Sequence, residues 1–378
     1  METNSNTYAC AIIGGGVAGL SLAIQLADAG VQTIVFEKNA YPFHKVCGEY
    51  ISMESWNFLL SLGLPLSEMN LPHINRLGVS SEKGFMLHAP LDLGGFGISR
   101  YALDYKLYLL AKNKGVTIIE NCRVIYVDED IDNQLARIKT SAGIYIASVV
   151  CGSYGKYTPT FVKDNTSSGN KNINYIGVKY HIKTDFPDNR IELHNFEGGY
   201  CGISKVENET YCLCYLSKAD NLKHTNNDIH TLEEKVLYKN PFLKKIFTQS
   251  EFLFEEPIVV SNVSFHKKNT YVNGVFLLGD AAGSITPLCG NGMSMGLRAS
   301  NILAALLVSY FKKNITKQIL IEAYHTAWLQ QFNTRIQTGY YLQGLFGKKK
   351  TTHLVLKTLD KFPAVTQKII GLTHGKPF

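Results

Sequence analysis

Two glycine-rich stretches carry the clearest chemistry in this chain. The first is Gly14-Gly15-Gly16-Val17-Ala18-Gly19, after the apolar run Tyr8-Ala9-Cys10-Ala11-Ile12-Ile13. The second is Gly279-Asp280-Ala281-Ala282-Gly283, followed by Pro287 and by Gly290-Asn291-Gly292-Met293. A G-x-G-x-x-G between a strand and a helix is the arrangement that cradles a dinucleotide pyrophosphate. Gly14 allows the tight turn, Gly16 lets the backbone approach the phosphates, and Gly19 lets helix and strand pack closely. A helix opening at Val17 and Ala18 presents free N–H groups and the positive end of its dipole. Paired with a late Gly-Asp loop, the stretch points to one long cofactor, held at its diphosphate first and further along by the second loop.

The elements that must position these residues are legible around them. Residues 8–13 read as a buried strand, and residues 17–29 as a helix with Leu20, Ala23, Ile24 and Ala27 at helical spacing. Gly30 supplies a left-handed cap. A second strand, 33–36, ends at Glu37 beside Lys38. A carboxylate there accepts both ribose hydroxyls and repels a 2′-phosphate. The nucleotide is therefore adenosine with a free ribose, as in FAD or NAD. Residues 275–278 read as another buried strand, with Asp280 at its C-terminal end, the edge where ligands bind in such sheets. Asp280 reads as an acceptor for a ribityl hydroxyl or as a helix cap. A long apolar helix over 292–311 turns its N-terminus toward the pyrimidine edge of a flavin.

These residues carry a family resemblance. The chain resembles the FAD-dependent oxidoreductases of the para-hydroxybenzoate hydroxylase fold group, over nearly its whole length. Within that group it is similar to the geranylgeranyl reductase-like branch and to hydroxylases of lipid and polyketide rings in secondary metabolism. The matching parts are the first glycine stretch with Glu37, the segment His44-Lys45-Val46-Cys47-Gly48-Glu49, Arg100 before Leu103-Asp104, and the Gly279-Asp280 loop. The resemblance implies FAD as cofactor, with NADPH or NADH as electron donor. It places Arg100 near the FAD phosphates, Cys47 by the isoalloxazine ring and the backbone of Val124 at the adenine. The expected cofactor-binding set is Gly14, Gly16, Val17, Ala18, Gly19, Glu37, Lys38, Cys47, Arg100, Val124, Gly279, Asp280, Pro287, Gly290, Gly292 and Met293. Two departures stand out. Tyr154 occupies the middle motif where the family has an acid or a His tied to pyridine-nucleotide contacts. After Tyr200 the Trp and Pro of the polyprenyl reductases are missing, and the tryptophan signature of flavin halogenases is absent, since the only tryptophans are Trp56 and Trp328.

The implied fold is α/β: a Rossmann-like FAD-binding domain, an inserted antiparallel β-sheet substrate domain and a C-terminal helical segment. The FAD domain is assembled from residues 1–76, 100–160 and 271–320. The substrate domain takes 77–99 and 161–270, where the alternating runs suggest a sheet with one covered face. Residues 321–378 read as helical, broken near 344–347 and at Pro363. At 378 residues, 45% hydrophobic and 18% charged, the chain reads as globular, with no stretch of membrane-spanning character and no signal peptide. A cytoplasmic setting follows as the expectation.

Eight scattered cysteines form no C-x-x-C, so no metal site is expected. Cys212 and Cys214 read as small fillers; Cys47 and Cys289 lie in segments near the flavin, as two pocket thiols or as a redox pair. Residues 311–378 hold eleven Lys or Arg against two acids, a net +9 in a chain of net +7. That leaves the rest slightly acidic at −2. The basic tail, bearing Leu354, Leu356, Leu359 and Val365, reads as a solvated helical cap or as a peripheral membrane contact. No motif supports nucleic-acid binding. A small apolar organic substrate is expected between sheet and FAD domain, with Tyr200 and Cys289 as pocket candidates. His44, His194, Tyr200 and Cys47 are the polar groups there, and none is assigned as a catalytic base. The leading expectation is a monooxygenase that hydroxylates or epoxidises an apolar aromatic, polyketide or isoprenoid-type substrate. A reductase of polyprenyl C=C bonds is the alternative, and a non-catalytic flavin-binding protein the third reading.

Overall fold

A strand that ends in glycine and restarts as a helix sets the first layer. β1 (Thr7–Ile13) runs into Gly14, whose φ of +103° makes the turn. α1 (Val17–Asp28) starts without a side-chain cap and ends before Gly30, at φ +76°. β2 (Thr33–Phe36), β6 (Thr117–Ile119), β9 (Gly143–Gly152) and β17 (Val275–Leu277) join β1 in a parallel sheet of order β17-β9-β1-β2-β6. β7 (Val124–Asp130) and β8 (Leu135–Thr140) run off β9 as an antiparallel meander, and β16 (Tyr271–Val272) edges β17. The computed structural model describes residues 6–130, 135–162, 174–263, 269–284, 286, 288 and 290–378.

Two helices from later in the chain pack on α1. α3 (Arg100–Asn113) is capped by Ser99 Oγ, which accepts from Ala102 N at 3.0 Å. α7 (Gly292–Phe311) lies against α1. Their contact is close because it is made by small residues. A Cβ on Gly296 would sit 3.3 Å from Ala18 Cβ, and Gly279 also meets Ala18. Ser21 Oγ and Ser300 Oγ are 2.7 Å apart across the same contact. α7 is long and apolar enough to cross a membrane, which the sequence reading did not anticipate. Over half of that stretch is buried inside the protein, where α1 and α8 (Lys317–Leu345) pack on it.

The second sheet has the order β14-β10-β13-β12-β11-β4-β5-β3, with β15 also on β10. Its strands are β3 (Tyr50–Ser52), β4 (His73–Ser80), β5 (Met86–Gly97), β10 (Tyr175–Lys183), β11 (Arg190–Phe196), β12 (Gly199–Lys205), β13 (Tyr211–Lys218), β14 (Glu251–Phe252) and β15 (Ile258–Val263). Pairing is antiparallel except where β11 runs parallel to β4. β3, and the first half of β4 from His73 to Arg76, belong to this sheet although they fall in the stretch assigned by sequence to the FAD domain. The expectation of one covered face is corrected at β10, whose residues 175–182 are all buried. Ile176, Val178, Tyr180 and Ile182 pack with residues of α5 (Ile229–Lys235) and α6 (Pro241–Gln249). The alternate residues Gly177, Lys179 and His181 meet the segment 44–49 instead. A short helix, α4 (Ala219–Lys223), follows β13, and α2 (Trp56–Leu62) follows β3.

The C-terminal block breaks where the sequence placed its breaks. α8 stops before Gly347 at φ +70°, α9 (Lys349–Lys361) follows, and Pro363 opens α10 (Pro363–Thr373). Leu356 of α9 packs with Val79 and Leu87, and Ile370 of α10 with Tyr50, Ile74 and Leu91. Arg335 of α8 reaches fully buried Glu54, with Nη1 3.2 Å from Oε2. Removing one member of a buried pair strands the other charge. Glu54→Ala should therefore cost about 3 kcal/mol in a urea titration. A loss no larger than that of an exposed control such as Glu322→Ala would show that the pair does not anchor the block.

Candidate active site

The first glycine stretch sits among cations. Arg100 grips Asp104 with two bonds, Nε to Oδ1 at 2.8 Å and Nη2 to Oδ2 at 2.7 Å. Lys45 Nζ donates to the same Oδ2 at 2.9 Å. A Cβ on Gly16 would lie 3.4 Å from Arg100 Nη2 and 3.6 Å from Lys45 Nζ. The bare glycine therefore leaves a lane between the N-terminus of α1 and two cations, which suits a pyrophosphate. Burial alone would raise the Asp104 carboxyl, but Arg100 and Lys45 hold it below its ordinary value. Gly19 has no room for a side chain, since a Cβ would be 2.2 Å from Gly14 O.

Glu37 closes the same loop. Its Oε2 accepts from Gly15 N at 2.9 Å, and its Oε1 from Asn39 N and Nδ2 at 3.1 and 3.2 Å. Cys122 N donates to the Glu37 carbonyl at 2.8 Å, which brings the chain just before Val124 to this edge. Lys38 points to solvent. Tyr154 stands beside the stretch from the other side, with its ring 2.6 Å from where a Cβ of Gly152 would be. Its hydroxyl is buried without a hydrogen-bond partner, and burial pushes that phenol up.

The second loop arrives at the same place. Gly279, at φ +60°, lies against Ala18 of α1, so the two glycine stretches touch. Asp280 is half-buried in the short turn after β17. Gly290, at φ +63°, packs on Tyr50. Gly292 and Met293 open α7 behind Asn291, whose side chain makes no cap. Asn291 Nδ2 donates to Thr373 O at 2.7 Å, while Asn291 Oδ1 and Ser294 Oγ are buried without partners. Orphaned polar atoms at an uncapped helix N-terminus suit a ligand that offers both donors and acceptors. The residues present thus fit FAD, with its phosphates by Arg100 and Lys45 and its ring end by α7. Pro287 and Cys289 lie outside the described residues.

The segment 44–49 joins this site to the second sheet. Glu49 is fully buried at φ +55°. Its Oε1 accepts from Arg100 N at 2.7 Å and from Lys179 Nζ, and its Oε2 is 2.6 Å from His181 Nε2. Lys179 is itself fully buried. Burial would raise the Glu49 carboxyl, but the His181 hydrogen bond and the Lys179 charge hold it below its ordinary value. Cys212 Sγ donates to Cys47 O at 3.2 Å, and Ser204 Oγ to Gly48 O at 3.3 Å. Cys47 is a free, half-buried thiol. Cys212 therefore does more than fill space. His44 stacks on Tyr101 and meets His181 and Phe254 edge-on, and burial with Lys179 and His181 nearby lowers its ring to about 4. Sequence reasoning passed over Lys179 and His181. Their signal was a Lys and a His inside the otherwise apolar run of β10.

Farther along the sheet lies an apolar cluster. Tyr175, Tyr200, Leu216 and Val263 pack with Leu288 of the second loop and with Leu193, Leu342 and Phe346. Tyr200 thus stands where the sheet, the loop before α7 and the end of α8 converge. His194 lies elsewhere, fully buried in a bond network with Ser80 and Asn240.

Known proteins are similar to this chain in sequence and in fold. Residues 7–130 match the FAD binding domain family. The chain is 20% identical over 388 residues to digeranylgeranylglycerophospholipid reductase 2 of Methanopyrus kandleri, covering 97% of this chain and 92% of that protein. It is 23% identical over 372 residues to conditioned medium factor receptor 1 of Dictyostelium discoideum, covering 87% of this chain and 69% of that protein. Its fold is that of the flavin-dependent brominase Bmp2, with a TM-score of 0.78 at 17% identity over 97% of this chain and 93% of the other.

Two tests follow. Arg100→Leu should weaken FAD retention at least about tenfold, since a charged hydrogen bond to phosphate is lost. FAD binding measured by fluorescence quenching at the wild-type affinity would remove Arg100 from the site. For Glu49 the folded carboxyl lies below its unfolded value, so its stabilisation is present above about pH 4 and fades as pH falls through the folded value. Glu49→Gln should cost about 3 kcal/mol at neutral pH and flatten the acid limb of the stability curve. Superimposable acid limbs for the two proteins would refute the role.

Proposed function

We propose that this chain, an FAD-dependent oxidoreductase with the fold of the para-hydroxybenzoate hydroxylase group, is a monooxygenase acting on an apolar ring or isoprenoid-type substrate. The observation that carries the proposal is the Tyr200 cluster, where apolar side chains of the substrate sheet, Leu288 and the end of α8 meet. Leu193, Leu216, Leu288 and Phe346 pack there, an apolar surrounding that suits a flat or chain-like hydrocarbon. Tyr175 and Tyr200 are the phenols in that cluster, suited to orient a ring hydroxyl. Bound FAD supplies the electron transfer to oxygen that such a reaction needs. Lys45, Arg100 and the α1 N-terminus would hold its phosphates, and α7 its ring end. The Glu49 tie fixes the Cys47 segment against the substrate sheet. NADPH or NADH serves as electron donor in this reading. The seven free thiols among the described residues suit a reducing, cytoplasmic setting.

A second reading has its own support. The digeranylgeranylglycerophospholipid reductase of Methanopyrus kandleri is similar over nearly the full chain, which favours reduction of a polyprenyl C=C bond. One experiment separates the two. The purified protein, loaded with FAD and reduced without air, is given a long-chain phenol or a polyprenyl alkene, and then oxygen. A monooxygenase incorporates one atom of labelled oxygen gas into the phenol, and Tyr200→Phe should raise the phenol KM about fivefold. Flavin reoxidation by the alkene before oxygen enters, with a saturated product, would establish the reductase and defeat the proposal.

A further inference from the structure

The C-terminal helices carry a surface that neither the cofactor site nor the core uses. α9 and α10 both lay their inner faces on β5 and its neighbours. On α9 the inner residues are Thr352, Leu356 and Leu359. At helical spacing, the opposite face carries Lys350, Leu354, Lys357 and Lys361, all exposed. On α10 the buried residues are Thr366 and Thr373, and the opposite face carries Val365, Lys368 and Leu372, again exposed. Phe362 stands exposed at the joint between them.

Since both inner faces rest on one sheet, both outer faces point away from it on the same side of the molecule. The result is a ridge of large apolar groups, with Leu354 67% and Phe362 55% exposed, set among lysines. The acid on these two helices is Asp360. A solvated cap does not call for that combination, since clustered exposed Leu, Phe and Val carry an unfavourable hydration free energy. An anionic bilayer matches both components: lysines meet headgroup charge while the apolar tips enter the acyl boundary.

We propose that the α9–α10 ridge docks this protein on the surface of an anionic lipid bilayer, with Leu354, Phe362, Val365 and Leu372 inserted and Lys357, Lys361 and Lys368 at the headgroups. The lysines and the apolar tips contribute separately, so each can be removed alone. The inference is independent of which reaction the flavin performs.

The test is co-sedimentation of the full FAD-loaded protein with vesicles of phosphatidylcholine and phosphatidylglycerol, compared with phosphatidylcholine alone. Binding is expected only with the anionic lipid, and should fall as salt rises. Replacing Lys357, Lys361 and Lys368 by Glu should weaken partitioning about 100-fold. Phe362→Ser with Leu372→Ser should weaken it at least about tenfold while leaving the salt dependence in place. All these positions are exposed, so FAD content and melting temperature should stay at wild-type values in each variant. Failure to pellet with anionic vesicles at low salt, or equal binding by the glutamate variant, would overturn the proposal. So would a stable dimer in solution that the Phe362→Ser variant dissolves, since the ridge would then belong to a second copy.

Discussion

A carboxylate with no solvent exposure has to recover its lost hydration from the atoms around it. At Glu49 those atoms come from two bodies: the first amide of α3 on the nucleotide side, and Lys179 and His181 on β10 of the other sheet. No single element satisfies the group, so the two sheets must come together for it to be buried at all. The left-handed backbone at Glu49 turns the chain sharply there, and Ile98 N holds its carbonyl at 3.0 Å. The consequence reaches back along the segment. Gly48 and Cys47 are drawn onto β12 and β13, where Ser204 and Cys212 hold their carbonyls. The strip of chain nearest the expected flavin ring is therefore held from the substrate side as well as from the nucleotide side.

A second constraint is steric. α1 and α7 approach closely enough for Gly279 and Gly296 to rest on Ala18, and the Ser21–Ser300 contact fixes their sliding position. A larger side chain at any of these positions would part the helices. Their closeness sets two uncapped N-termini side by side. The fingerprint and the late Gly-Asp loop, distant in sequence, form a single physical object.

This explains what could be read without coordinates. Positive-φ glycines and strand–helix alternation are local rules, so β1, α1, β2, α7 and the breaks in the C-terminal block were legible within a residue or two. The joining of the two stretches was legible because a long cofactor demands it. Pairing between distant strands was not. β3 sits in the second sheet because β5 reaches back to it, which no periodicity in three residues announces. The burial of both faces of β10 escaped for a related reason: alternation reports one apolar face, while the other is covered by a loop segment with its own polar partners. Lys179 was visible as an oddity, but its partner Glu49 lies far away in sequence.

The same reasoning separates the cofactor from the substrate. Phosphates and ribose hydroxyls demand directional, charged partners at fixed spacing, and such demands leave a motif. A hydrocarbon demands only shape and the exclusion of water. The apolar cluster around Tyr200 draws on β10, β11, β12, β13, β15, Leu288 and the end of α8, several separate stretches of chain contributing apolar groups. Many side-chain sets fill such a space equally well, and none leaves a pattern in the order of residues. The polar groups in that cluster are few. In this chain those are the phenols of Tyr175 and Tyr200, on adjoining parts of one sheet.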